Sequence, residues 1–245
     1  MTTTDEKELS KKRETISSMF DSIAPTYDLL NHILSFGIDV SWRKKLVKAV
    51  SKHTELSKSH ILDLACGTAD VSIAIYNKGA KVTGADISEQ MLKIAVEKCQ
   101  KEGIGDIDFI LADAYRLPFD SDTFDAITIS FGIRNFDKRE SCINELYRVL
   151  KKGGVLAILE FSIPKNKLWK WIYSFYFKKI LPTIGRMISK QKWAYRYLPE
   201  SSFSFPSREN FCRELEQGNF TKCQYKSLTG GIACIYTAIK PTTNK

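Results

Sequence analysis

Leu62 to Asp70 reads LDLACGTAD, and Lys81 to Asp86 reads KVTGAD. In the first, an apolar run carrying Asp63 leads into a turn of small residues around Gly67. In the second, a short run ends in Asp86, 23 positions after Asp63. A nucleoside ligand needs this arrangement. Small residues let the backbone approach it, and an acid closing the second strand accepts hydrogen bonds from two ribose hydroxyls. Ala65 and Ala69 occupy two of the small positions of a full G-x-G-x-x-G. That counts against a dinucleotide, whose pyrophosphate must be cradled on a helix N-terminus. S-adenosylmethionine has no phosphate and carries a sulfonium cation, so its site tolerates the change better. A tight turn without ligand would explain the glycine but not Asp86.

The elements that must position these residues alternate in type. Apolar runs predict strands at Ile61–Ala65, Lys81–Ala85, Asp108–Ala112, Phe124–Phe131 and Val155–Phe161, with helices near Val71–Asn77, Glu89–Lys101 and Lys138–Leu150. Helical patterning at Arg13–Phe20, Tyr27–Leu34 and Ser41–Lys52 predicts an N-terminal cap over 13–58, after a disordered stretch 1–12. A helix at Arg208–Gln217 precedes two further strands, Lys222–Leu228 and Ile232–Ile239, whose link Thr229-Gly230-Gly231 is short enough for a hairpin. Repeated strand–helix units imply a parallel sheet with ligands at the carboxyl ends of its strands. The expected fold is α/β: a Rossmann-like, mostly parallel seven-stranded sheet ending in an antiparallel hairpin, within one domain over 13–245.

Composition narrows the class. At 245 residues and 43% hydrophobic content the chain can bury a full core. The N-terminus is polar and lacks the apolar core of a secretory signal, and lysines interrupt every candidate spanning run. Six cysteines are scattered without a C-x-x-C pair, as in a reduced cytoplasmic chain. His32, His53 and His60 form no ligand-spaced set with cysteine or acid, so no metal is expected.

The net charge of +9 invites an anionic partner. Lys165 to Trp193 interleaves bases with aromatics, within an amphipathic segment inserted at 165–206. Its apolar density is too high for a nucleic-acid platform, so no nucleic acid is expected. Two readings stand side by side: an amphipathic helix at a lipid interface or over an apolar pocket, and a core helix whose lysines snorkel outward.

Several motifs in order carry a narrower signal: FDSIAPTYDLLN (Phe20 to Asn31), SFGIDVSWR (Ser35 to Arg43), LDLACGTAD, ADISEQML (Ala85 to Leu92), FGIRNF (Phe131 to Phe136), YRYLPESSFSFP (Tyr195 to Pro206) and LTGGIACIY (Leu228 to Tyr236). Together they resemble the ubiquinone/menaquinone biosynthesis C-methyltransferase family, over nearly the whole chain beyond residue 15. The resemblance implies a class I S-adenosyl-L-methionine (SAM)-dependent methyltransferase acting on a polyprenyl quinol, of the menaquinone or the ubiquinone series. Another small-molecule SAM methyltransferase and a non-catalytic SAM-binding module are the competing classes. The implied setting is cytoplasmic, peripheral to an anionic membrane surface, with a homodimer left open. Two departures stand out: Ala69, where the family usually has glycine, so that a repositioned loop is expected, and Tyr236, where it usually has histidine.

By this resemblance, Thr68, Asp86, Asp113, Ala114 and Ser130 hold the cofactor, joined by Asp63 and Gly67 of the loop. Asp86 is expected to take the ribose diol, Asp113 the adenine amino group, and Thr68 the methionine end; a helix N-cap is the alternative for Asp113. Arg134, Asn135 and Tyr27 are the catalytic candidates. Carbon methylation needs no metal, because the methyl arrives activated. The site must align the groups, help a phenolic proton leave and exclude water. Arginine is a poor base but can stabilise phenolate charge. The alternative for Arg134 is an ion pair with Asp137 or Glu160.

Overall fold

The computed structural model describes residues 14–180 and 194–242. The stretch 1–12, expected to be disordered, and residues 181–193 of the inserted segment lie outside these residues.

Strand formation follows two-sided burial. Along β1 (His60–Leu64), β4 (Phe124–Ser130) and β5 (Leu150–Phe161), successive residues enter opposite cores: Ile61, Ala126, Val155, Ala157 and Leu159 on one face, and Leu62, Leu64, Ile127, Ile129, Leu156 and Ile158 on the other. Period-two alternation between two apolar layers marks a sheet covered on both sides. With β2 (Lys81–Asp86), β3 (Ile107–Leu111), β6 (Thr221–Leu228) and β7 (Ala233–Ile239), these form one seven-stranded sheet in the order β3-β2-β1-β4-β5-β7-β6. The first five strands run parallel, and β7 is antiparallel to both β5 and β6. The expected closing hairpin is present. The order reverses between β1 and β4, and ligands of such sheets bind at that switch point.

The helices are α1 (14–23), α2 (Tyr27–Ser35), α3 (Ile38–Val50), α4 (Asp70–Tyr76), α5 (Glu89–Lys101), α6 (Arg139–Val149), α7 (Lys167–Phe175), α8 (Ala194–Ser204) and α9 (Glu209–Gln217). Trp42, Leu46, Val47 and Val50 repeat at helical spacing and pack α3 with α4 and α5 on one face of the sheet. Cys142, Ile143 and Leu146 of α6 join Phe211 and Leu215 of α9 on the other. Met19 and Ile23 of α1 lie against Met91 of α5, which places the cap over the carboxyl end of β2.

The largest departure from the expected boundaries is at the start of β5. β5 starts at Leu150, which pairs with Phe124 before Val155 resumes beside Ala126. The excursion over 151–154 has too little hydrophobic signal to read as strand. α7 continues into a π-helical turn, Tyr176–Ile180.

Tyr236, left without a function by its departure from the family pattern, is a keystone of the core. It is fully buried, its ring lies 4.9 Å from that of Phe211, and its hydroxyl accepts from the Arg208 amide at 2.7 Å.

Candidate active site

Four strands deliver their carboxyl ends to one open cleft enclosing about 760 Å³ of space. Seven of the ten expected residues line it: Gly67, Asp86, Asp113, Ala114, Ser130, Asn135 and Tyr27. Asp86 ends β2 almost fully buried. Its oxygens accept the Gly67 amide at 2.8 Å and the Ser88 amide at 2.9 Å. Burial raises its pKa, and the backbone N–H donors hold that rise back. Each oxygen keeps acceptor capacity toward the cleft. Ser88 caps α5 by accepting the Met91 amide at 3.1 Å, as its position suggests.

Asp113 caps no helix. Its Oδ1 accepts the Tyr115 amide at 3.0 Å in a tight turn closed by a bridge to Arg116. Ala114 beside it is buried and small, leaving room for a flat ring. Ser130 Oγ and Asn135 Oδ1 are buried in this cleft with no hydrogen-bond partner among the described residues. Such orphaned atoms are costly unless a ligand satisfies them. A nucleoside with a charged amino-acid tail supplies polar groups of this kind, so the residues present fit SAM.

The glycine loop bends through left-handed conformations at Ala65 (φ 53°), Gly67 (φ 55°) and Ala69 (φ 71°). At Ala69 an alanine takes the conformation suited to glycine, a strain of about 1 kcal/mol. Gly132, after β4, is required by close approach. A Cβ there would stand 2.6 Å from that of Ala65.

The three remaining expected residues lie next to the cleft rather than in it. Asp63, 1% exposed, accepts Ser72 Oγ at 2.6 Å and Thr128 Oγ1 at 2.8 Å. Burial pushes its pKa up to about 6 despite those hydroxyls. Asp63 thus ties β1 to β4 and α4 beneath the loop, and with Thr68 it lines the small pocket beside the loop instead of the main cleft. Thr68 donates to Asp28 Oδ1 at 2.5 Å, so its hydroxyl serves to fasten the loop to cap helix α2. Asp28 pairs with Lys98 at 2.9 Å, Lys98 with Asp70, and Asp70 with Arg43 at 2.9 Å. Burial opposes the charge on Lys98, but Asp70 and Asp28 hold its pKa above the ordinary value.

Arg134 lines a second chamber of about 750 Å³, with Tyr27, Asp39, Trp42, Arg43, Phe131 and Phe161. Its Nη1 lies 2.9 Å from Glu160 Oε1 and also donates to the Phe131 carbonyl. The guanidinium stands 5.4 Å from the Phe161 ring centroid. Of the two acids foreseen for it, the structure selects Glu160. The pair is buried, so solvent screens it little. Arg134 Nε is buried without a partner among the described residues. Tyr27 lines both chambers and the small pocket beside the loop, and burial raises its pKa.

The second chamber shares Trp42, Phe161 and Leu198 with a third space of about 1000 Å³ under α7, lined by Phe36, Ile38, Trp169, Ile172, Tyr173, Tyr176 and Phe177. α7 (Lys167–Phe175) has two distinct faces, one packed in the core beside this space and one exposed. Tyr173 and Phe177 are buried against Phe161, Leu198, Phe203 and Ile232, whereas Leu168, Trp171 and Phe175 are 68%, 67% and 53% exposed.

Residues missed from sequence include Phe131, Arg43 and Tyr173. Phe131 borders both chambers and the loop pocket with φ 58°, a conformation rare for a bulky residue and found at functional sites. Its place directly before Gly132 was the available signal. A correction concerns His32, which does meet acids: its Nδ1 lies 2.9 Å from Asp39, and Asp70 is close by. The Arg43 guanidinium pairs with both carboxylates, so the cluster is a salt-bridge network.

The ubiE/COQ5 methyltransferase family model matches residues 6–240. The chain is 44% identical over 236 residues to the ubiquinone/menaquinone biosynthesis C-methyltransferase UbiE of Geotalea daltonii, covering 95% of this chain and 99% of that one. It is 44% identical to the demethylmenaquinone methyltransferase of Thermus thermophilus, over 91% of this chain and all of that one. Among solved structures, a SAM-dependent methyltransferase of Thermotoga maritima, described as a possible histamine N-methyltransferase, superposes with a TM-score of 0.65 at 17% identity, over 91% of this chain and 99% of that one. That likeness is one of fold. On these matches and the fold that carries its site, the chain belongs to the ubiE/COQ5 methyltransferase family.

Proposed function

We propose that this protein methylates a ring carbon of a polyprenyl quinol, converting demethylmenaquinol to menaquinol with SAM as donor, at the surface of a membrane facing the cytoplasm. The observation that carries the reading is the sequence of spaces. A cofactor cleft and a chamber that holds Arg134, Arg43 and Asp39 meet at Tyr27 and Phe131, and that chamber opens into a large apolar space under α7. A donor, a polar ring and an isoprenoid tail need such an order.

Bound SAM supplies a methyl group already activated on sulfonium. The residues of the chain do the rest. Asp86 takes the ribose diol, Asp113 and Ala114 the adenine edge, and Ser130 and Asn135 the polar groups nearer the methyl. Arg134, fixed by Glu160 and the Phe131 carbonyl, presents its unpaired Nε to the quinol oxygen as phenolate charge develops. As a permanent cation it stabilises that charge while the proton leaves to another acceptor. Tyr27 and the cap helices close the site to bulk water.

At the exposed face of α7, Leu168, Trp171 and Phe175 stand beside Lys167 and Lys170, with Phe36 from the α2–α3 turn near Tyr176. This mixture suits the headgroup boundary of an anionic bilayer. No described helix is long and apolar enough to cross a membrane.

The test is methyl transfer from labelled SAM to two quinols bearing the same tail, presented in vesicles. Product from demethylmenaquinol is expected. Product from the methoxy-benzoquinol alone would assign the ubiquinone series, and product from neither would defeat the quinol reading.

A further inference from the structure

Tyr173 sits on the inner face of α7, 5% exposed, with its ring 4.6 Å from Phe177 and 6.2 Å from Phe203. Its hydroxyl is buried with no hydrogen-bond partner among the described residues. Phenylalanine would fill the same volume without the cost of an unpaired hydroxyl. The group therefore has no use in the fold that its ring alone does not serve.

Its surroundings suggest what it serves. Tyr173 forms part of the wall of the apolar space under α7, near where that space joins the Arg134 chamber through Trp42, Phe161 and Leu198. The charged groups that act on it are Arg134, which lines that second chamber, and Glu160, its fully buried partner. Burial, more than either charge, pushes its phenol far above the ordinary range, so it carries its proton at neutral pH and acts as a donor.

A 1,4-quinol with its tail on the carbon next to the methylated one has two oxygens with different neighbours. One flanks the carbon receiving the methyl, and the other flanks the tail. Arg134 serves the first on the reading above. With the tail in the α7 space, the second oxygen comes to the junction of the two chambers.

We propose that the Tyr173 hydroxyl donates a hydrogen bond to the quinol oxygen beside the tail, and so fixes which edge of the ring faces the methyl donor. The inference rests on the quinol reading. It makes α7 two-sided in function: its outer face meets lipid and its inner face holds the ring.

The experiment uses the full chain and Tyr173→Phe, with two tailed substrates: demethylmenaquinol and a naphthol analogue lacking only the hydroxyl next to the tail. The variant should melt at the parent's temperature or higher, since an unpaired hydroxyl is gone. Its KM for SAM should be unchanged, and its KM for the quinol should rise about tenfold, the scale of one lost hydrogen bond. The analogue's KM should be equal in parent and variant. The parent alone should prefer the quinol to the analogue about tenfold in KM, a comparison that needs no folded variant. Equal KM values for the two substrates in the parent, or an unchanged quinol KM in the variant, would overturn the proposal. A parent inactive on both substrates would instead defeat the quinol reading, and this inference with it.

Discussion

Arg134 and Glu160 form a buried ion pair at the carboxyl end of the sheet, with Nη1 2.9 Å from Oε1 and side chains 7% and 0% exposed. Glu160 also accepts the backbone amides of Arg134 and Phe161, at 3.2 Å and 2.8 Å. The carboxylate therefore fixes both the turn after β4 and the guanidinium that the turn carries. The arginine proposed to stabilise phenolate charge and a structural salt bridge are here one arrangement.

Removing one partner of this pair leaves the other charge buried and uncompensated. Glu160→Gln should lower the unfolding free energy by about 3–5 kcal/mol, as read by denaturant titration. Arg134→Lys keeps the charge but loses the planar fork. Its single-turnover methyl-transfer rate should fall by up to about 10²-fold with SAM affinity nearly intact. Parent-like rates would leave Arg134 a purely structural role.

Asp86→Ala should weaken SAM binding by about 2–4 kcal/mol in calorimetry. Because Asp86 also accepts the Gly67 and Ser88 amides, the melting temperature should fall as well. Unchanged SAM affinity in the folded variant would remove Asp86 from the site.

Asp63 gives the protein a pH-dependent element of opposite sign to the usual surface carboxylate. Burial raises its folded pKa from 3.8 to about 6. Between about pH 4 and pH 6 the folded state holds a proton that the unfolded chain has released, so this contribution to stability falls as pH rises and levels off above that window. The loss is about 2–3 kcal/mol. Asp63→Asn cannot titrate, so the stability gap between parent and variant should shift by that amount from pH 4 to pH 7. A gap independent of pH would mean that Asp63 titrates alike in both states.

The outward face of α7 should bind anionic liposomes reversibly, and more weakly as salt rises, because each nearby lysine contributes about 1 kcal/mol. Replacing Leu168 and Trp171 with serine should reduce turnover of a tailed quinol far more than that of a short-chain analogue. Trp169 is the wrong residue for this test, since its Nε1 donates to the Thr229 carbonyl at 3.4 Å, and a Cβ on Gly230 would lie 2.3 Å from that nitrogen. Equal losses on both substrates, with flotation unaffected, would mean that α7 meets no lipid.

The sequence by itself determined the sheet and most of the residues that gather in the cleft at its carboxyl ends. Alternation at Ile61–Leu64 and Val155–Leu159 reports burial on two faces, and the distance from Asp63 to Asp86 is set by one strand–helix–strand unit. Those signals are local, because each is carried by the backbone geometry of one or two adjacent elements. Tertiary structure alone decided the partners. Glu160 rather than Asp137 meets Arg134 because β4 and β5 lie side by side in register, with Ser130 opposite Leu159. Asp63 became a strut because Thr128 and Ser72 converge on it from β4 and α4. The division of α7 into a face around Tyr173 and a face around Trp171 also depends on what packs against it. Periodicity can mark an apolar stripe, but whether that stripe meets Phe161 and Phe203 or a lipid surface is fixed only when distant segments are brought together.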